Sequence, residues 1–296
     1  MYLQCDWPDL ASVPSLTSSR VGSIPIEEID AVFSSSVAAV EEMKMLGRGL
    51  AVPLLQFGLS VYHLDTELLA ELKPDVILTC LQTAHSCILE GELRDMALYD
   101  ALGYVPKVVH CNAQDMEGIW MDMMNIAAAL DVTSEGQQLV ESQKYAMEAA
   151  KNVCRGRDKA RVACIQWPQP LMMAGAWVSE LLVQAGAQEV TGSIETETAG
   201  LMTAEELVDS SPDVIVFALC GLSLDVAERA ASKVVATLGS STKAVASGKI
   251  AVMDGVRMMS RPGPLLKESL ECLVEILHPE AQQFGHLGRY WRWMNL

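Results

Sequence analysis

The sequence predicts an α/β fold of two Rossmann-like lobes joined by a long inter-lobe α-helix, and three observations carry that prediction. Short β-branched runs alternate with helical patterns, a strand-free interval of about fifty residues divides them, and one helix-turn-strand motif occurs twice. The runs are DVILTC (75–80), KVVH (107–110), ARVACI (160–165), DVIVFAL (213–219) and KIAVMD (249–254). Each is short, apolar and bounded by turn residues, as strands buried on both faces are. The interval after the second run reads as helix, through MEGIWMDMMNIAAAL and then QLVESQKYAMEAAKNVC. These limits give an N-terminal α/β lobe over 1–130, a connecting helix over 131–157 and a C-terminal α/β lobe over 158–296.

The repeated motif is DTELLAELKPDVIL (65–78) and TAEELVDSSPDVIV (203–216), which align without gaps and agree at six of fourteen positions, including all of Pro-Asp-Val-Ile. Each copy reads as helix, turn and buried strand, so the two lobes are expected to resemble each other. Ligands of open α/β sheets sit beyond the carboxyl ends of the strands. In this chain those ends are 79–89, 111–114, 166–177, 219–223 and 254–264. The last leads into SRPGPLLKESLECLVEILHPE (260–280), where Pro262 and Pro264 stiffen the chain and Pro264 is expected as first helical residue. Leu266, Leu270, Leu273 and Leu277 form one buried face, and His278-Pro279 stops the helix. Arg261 is thereby held just before a packed helix.

Composition bounds the function. The chain of 296 residues has net charge −17 with 21 Lys plus Arg, so a nucleic-acid backbone would be repelled. No apolar run approaches the roughly 18 residues of a membrane span. Eight cysteines are scattered without a Cys-x-x-Cys pair, which fits a reducing compartment. The opening MYLQCDWPDLASVPS shows no basic region followed by an apolar one. A cytoplasmic location is expected on these grounds, or an extracytoplasmic one if the N-terminus is incomplete. There is no G-x-S-x-G, P-loop or G-x-G-x-x-G motif, so neither an enzyme nor a catalytic cofactor is expected.

Several segments carry a resemblance: CDWP (5–8), LTSSRV (16–21), LKPDVILT (72–79), IQWPQPLMMAGAWVSELLVQAGA (165–187), LCGLSLD (219–225) and SRPGP (260–264). The most specific are Trp167, Pro170, Ala174, Gly175, Trp177, Val178, Glu180 and Leu181 in one element, and Ser-Arg-Pro-Gly-Pro in the other. Together they resemble the cobalamin-binding branch of the ABC-transporter substrate-binding proteins. The resemblance implies two Rossmann-like lobes bridged by a rigid helix, with a corrinoid or similar metal chelate bound between them without chemistry. It also implies a strand and helix ahead of the CDWP motif, so that the first strand and helix of lobe 1 are expected to be missing here, and an ABC permease as partner.

The residues divide accordingly. Trp167, followed by Pro168, and Trp177 flank the turn after the third strand; their indole faces suit a flat macrocycle, the alternative being core packing. Trp7 matches the aromatic of the family motif, with Ser19 and Arg20 in the next matching stretch. Arg261, beside Ser260, offers a planar fork of donors to ligand carboxylates or amides, or else fixes its loop. Cys220-Gly221 ends a strand where glycine lets backbone approach a ligand. The resemblance makes Glu92 and Glu180 the contacts to a permease, one per lobe. Cys80, His85 and Cys87 share a loop, and His85 with Cys87 is a candidate metal pair. Two other readings stay open: an intracellular metal- or tetrapyrrole-handling enzyme or chaperone using that loop, and a degenerate family member acting in protein interaction. Cobalamin, haem and a catecholate chelate all suit two tryptophans and an arginine.

Overall fold

The computed structural model describes residues 17–19, 62–80, 103–169, 171–190 and 200–295. Contacts divide the chain into two compact units, Met1–Asn112 with Asn125–Thr133, and Ala113–Met124 with Ser134–Leu296. The first contains β1 (Thr17–Ser19) paired antiparallel with β2 (Tyr62–Leu64), then α1 (Thr66–Leu72), β3 (Val76–Cys80) and β4 (Lys107–Cys111). β3 and β4 run parallel, with Ile77 opposite Val108 and Cys80 opposite Cys111.

The strand-free interval forms α2 (Met116–Ala129) and α3 (Thr133–Cys154), the latter of 22 residues. The break between them turns at Asp131, whose φ of 58° lies in the left-handed region. α3 buries Val140, Gln143, Met147, Ala150 and Cys154, a stripe at helical spacing that joins the core of the second unit.

That second unit is built on β5 (Arg161–Pro168), β6 (Leu171–Met173), α4 (Trp177–Gln184), β7 (Gln188–Glu189), α5 (Ala204–Asp209) and β8 (Val214–Phe217). It continues with α6 (Leu224–Leu238), α7 (Lys243–Ala246), β9 (Ile250–Met253), α8 (Leu266–Leu277) and β10 (Trp291–Trp293). The sheet order is β10-β9-β8-β5-β6, with β7 also on β5. β5, β8 and β9 are parallel, and every residue of β8 and β9 is buried. Continuous apolar sequence is what a central strand covered on both faces requires. α6 covers one part of this sheet with Ala227, Ala230, Ala231, Val234 and Leu238. α8 packs Leu266, Leu270 and Leu273 into the core, each side chain contributing about 1.5–3 kcal/mol of burial. Its first residue is Leu266 rather than the expected Pro264. The Leu266 amide closes a turn onto the Gly263 carbonyl, and Pro264 shapes that turn.

The two motif copies share a backbone as well as letters. Asp65 caps α1 by accepting from the Leu68 amide, and Thr203 caps α5 by accepting from the Glu206 amide. Each helix is followed by a left-handed residue, Lys73 (φ 46°) or Ser211 (φ 48°), standing immediately before the proline. Equivalent positions thus adopt the same unfavourable conformation, which reverses the chain sharply into the strand.

Candidate functional site

The carboxyl edge of β5, β8 and β9 brings several of the expected residues together. Beyond β8 the chain stays against β5: the Ala218 amide donates to the Ile165 carbonyl, and the Cys220 amide donates to the Gln166 carbonyl at 3.0 Å. Gly221, at φ 76°, donates to the Gly255 carbonyl at 2.9 Å. Gly255 is itself dictated by proximity, because a Cβ there would lie 1.7 Å from the Leu219 carbonyl oxygen. The loops after β8 and β9 are therefore in backbone contact.

The β9 loop is braced from within. Asp254 is 4% exposed; its Oδ1 accepts from the Val256 and Arg257 amides, and its Oδ2 pairs with Arg257 Nη1 at 2.8 Å. The Met258 amide donates back to the Asp254 carbonyl at 2.7 Å, and Ser269 of α8 donates its hydroxyl to the Met258 sulphur. Met259 is buried at φ 60°, and its carbonyl accepts from Gln166 Nε2. The loop then delivers Ser260 and Arg261, both half-buried, to the same edge as Cys220 and Gly221. Ser260 Oγ is buried without a hydrogen-bond partner. The nearby Cys220 residue is exposed as a whole, yet burial of its sulphur pushes the thiol up, opposed by the Ser260 side chain. The Cys220 thiol beside it is a weak hydrogen-bonding group, so at most one weak contact serves this hydroxyl.

The chain as a whole is matched in known proteins. The family described as periplasmic binding protein matches residues 59–256. The chain belongs to the periplasmic-binding-protein family. Among solved structures, a periplasmic heme-binding protein from Pseudomonas aeruginosa is similar at a TM-score of 0.65 and 18% identity, over 79% of this chain and 82% of its own. RhuT from Roseiflexus sp. RS-1, a periplasmic heme-binding protein in apo form, gives 0.60 and 17%, over 74% and 81%. An ABC transporter substrate-binding protein from Listeria monocytogenes EGD-e gives 0.59 and 17%, over 73% and 81%. At these identities the likeness shows the fold. Among curated proteins none matches significantly. Among the described residues no helix is long and apolar enough to cross a membrane.

Membership in the periplasmic-binding-protein family overturns the cytoplasmic expectation. The thiol argument for a reducing compartment is weak on physical grounds, because Cys154, Cys164 and Cys272 are buried core residues. Cys164 and Cys272 titrate well above the usual thiol range because burial penalises the thiolate. The membership also sets the coarse function, which is ligand binding.

In this periplasmic binding protein the tryptophans lie inward. Trp177 opens α4, is 5% exposed and belongs to the hydrophobic core. Trp167 is 6% exposed, follows an irregularity in the β5–β6 pairing and donates its Nε1 to the Gln169 carbonyl at 3.1 Å; Pro168 beside it is buried opposite Leu171. The indoles pack the walls of the edge rather than present open faces. Glu180, in the first turn of α4, accepts from the Met116 amide at 3.4 Å at the start of α2. Burial pushes its carboxyl up, with Asp115 adding to the shift and the Met116 bond opposing it.

Other expected residues lie outside the described residues: Trp7, Arg20, His85, Cys87 and Glu92. Ser19 is described only as the backbone partner of Tyr62 in β1, and Cys80 as that of Cys111. His110 Nδ1 is 2.9 Å from Thr79 Oγ1 at the carboxyl end of the β3–β4 pair. Among the described residues no group of three or more His, Cys, Asp or Glu could hold a metal ion. Sequence reasoning missed Asp254, Gly255 and Gln166. The Asp-Gly pair directly after a buried strand was the available signal for the first two.

Proposed function

We propose that this protein binds a metal chelate of the tetrapyrrole class at the carboxyl edge of the second unit and carries it, outside the cytoplasm, to an ABC permease. The observation that carries the reading is the buried Ser260 hydroxyl, served at most by the weak Cys220 thiol, beside half-buried Arg261 and exposed Gly221. An unsatisfied buried hydroxyl costs about 1–3 kcal/mol, which a ligand oxygen placed there would recover. Family membership and neighbours described as heme-binding support the same ligand class. Burial of the macrocycle would supply most of the affinity, at about 25 cal/mol per Å².

Arg257 is committed to Asp254, so Arg261 is the guanidinium this loop offers, and a planar fork of donors favours a chelate with peripheral carboxylates over one with amides. Hemin is therefore expected to bind more tightly than cobalamin. The groups at this edge are a hydroxyl, a guanidinium and a thiol whose ionisation burial opposes, a set suited to holding a ligand. Absorbance titration with hemin and with cyanocobalamin tests the reading. Saturable binding of hemin, tighter than that of cobalamin, is the expected result; unchanged spectra with both would overturn it.

A further inference from the structure

We propose that Glu275, buried in α8, is a positioning residue for the binding loop 254–261, acting through the C-terminal segment. This rests on the proposed ligand-binding role of that loop only in its last step.

The geometry forms a chain of direct contacts. Glu275 is fully buried. Its Oε1 accepts from three consecutive amides, Phe284 at 2.5 Å, Gly285 at 2.7 Å and His286 at 3.2 Å. Its Oε2 accepts from Trp291 Nε1 at 2.6 Å. One carboxylate thus folds residues 284–291 onto α8, an internal anion in a nest of backbone donors. These donors outweigh the desolvation that would raise its carboxyl, and hold it below the usual range. Within the folded segment the Arg289 and Tyr290 amides both donate to the His286 carbonyl. The Tyr290 carbonyl then accepts from the Asp254 amide at 2.8 Å. Asp254 is the residue whose carboxylate organises Val256 and Arg257 and whose carbonyl takes the Met258 amide.

The same helix touches the loop a second time, through Ser269 and the Met258 sulphur. α8 therefore grips the binding loop directly near its start and indirectly, through Glu275, from its last turn. A glutamate at this place is not needed to fill the core, since an apolar side chain would fill it. What the carboxylate adds is a defined path for residues 284–290, and so a defined position for Asp254.

Hydrogen exchange measured residue by residue on the intact chain decides the matter. In Glu275→Gln, exchange is expected to quicken about tenfold or more at Phe284–His286 and also at Asp254, Val256, Arg257 and Met258, while Val162–Ile165 and Ile215–Phe217 keep their protection. Trp291→Phe, which removes one donor and retains the ring, should shift the same amides in the same direction by less, and serves if the first variant does not fold. Quickening confined to residues 284–286, or spread evenly over the whole second unit, would overturn the proposal. Hemin titration adds the functional step, with an expected rise in Kd of about tenfold for Glu275→Gln. If the unaltered protein binds no hemin, the ligand reading fails while the exchange pattern still decides the coupling.

Discussion

The two edges of the second unit's sheet are finished differently. At the amino edge Asp213 Oδ2 accepts from the Arg161 amide at 2.8 Å, its Oδ1 meets Lys243 Nζ at 2.6 Å, and Arg161 donates its guanidinium to the Ser210 carbonyl. The cavity there, about 300 Å³, is lined by Lys159, Asp213, Lys243, Ser247 and Lys249; Asp213 and Lys243 are paired with each other, and the Ser247 hydroxyl donates to the Lys243 carbonyl. At the carboxyl edge Asp254 plays the corresponding bracing part with Arg257, yet Ser260 Oγ has none and Cys220 and Gly221 stay exposed. One edge closes the fold upon itself. The other keeps Cys220 and Gly221 exposed beside a buried hydroxyl, and it is the edge to which the proposed function assigns the ligand.

The largest expected effect lies at the carboxyl edge. Gly255→Ala forces a Cβ against the Leu219 carbonyl and should cost roughly 3 kcal/mol or more, seen as a lower urea midpoint. Asp213→Ala at the amino edge should cost about 1–3 kcal/mol, since it strands the Arg161 amide and releases Lys243. Lys243 and the Arg161 amide hold the Asp213 carboxyl below its ordinary value of 3.8. Its contribution is present above that value and is lost as pH falls through the lowered one.

Glu189, in β7 at the same amino edge, behaves oppositely. Burial pushes its carboxyl up to about 7, partly offset by the Ser179 hydroxyl that donates to it. The folded state keeps this proton to higher pH than the unfolded state does. The contribution is therefore full below about 4.5 and lost as pH rises to about 7. Unfolding midpoints of Glu189→Gln across that range should lack the fall; an unchanged slope would detach Glu189 from it. The smallest effect concerns the turn entering β8. Ser211→Gly relieves a left-handed conformation and should stabilise by about 0.5 kcal/mol, with Lys73→Gly as its counterpart before β3.

Much of this architecture was legible because burial on both faces writes itself into sequence. DVIVFAL and KIAVMD gave β8 and β9, and the repeated Pro-Asp-Val-Ile marked two strands whose preceding turns share even their left-handed residue. β6, β7 and β10 went unread, being only two or three residues long and set by pairing with distant partners. Cys220, Gly221, Ser260 and Arg261 were expected together by the rule that loops after parallel strands gather at one edge, and they do share that edge. Trp177 shows the limit of that reasoning, for an indole at a loop is apolar enough for either core or ligand, and only packing decides. Glu275 was illegible for the converse reason: a glutamate within an amphipathic helix reads as solvent-facing, and its four donors come from nine to sixteen residues later.

The central claim is that the ligand binds at the carboxyl edge and not the amino edge. Hemin titration of Arg261→Ala beside Lys249→Ala tests it most directly, because each variant removes one cation from one edge. The account predicts a Kd raised about tenfold for Arg261→Ala, as the loss of a charge-assisted hydrogen bond implies, and no change for Lys249→Ala. Equal affinities in the two variants, or a loss confined to Lys249→Ala, would contradict it.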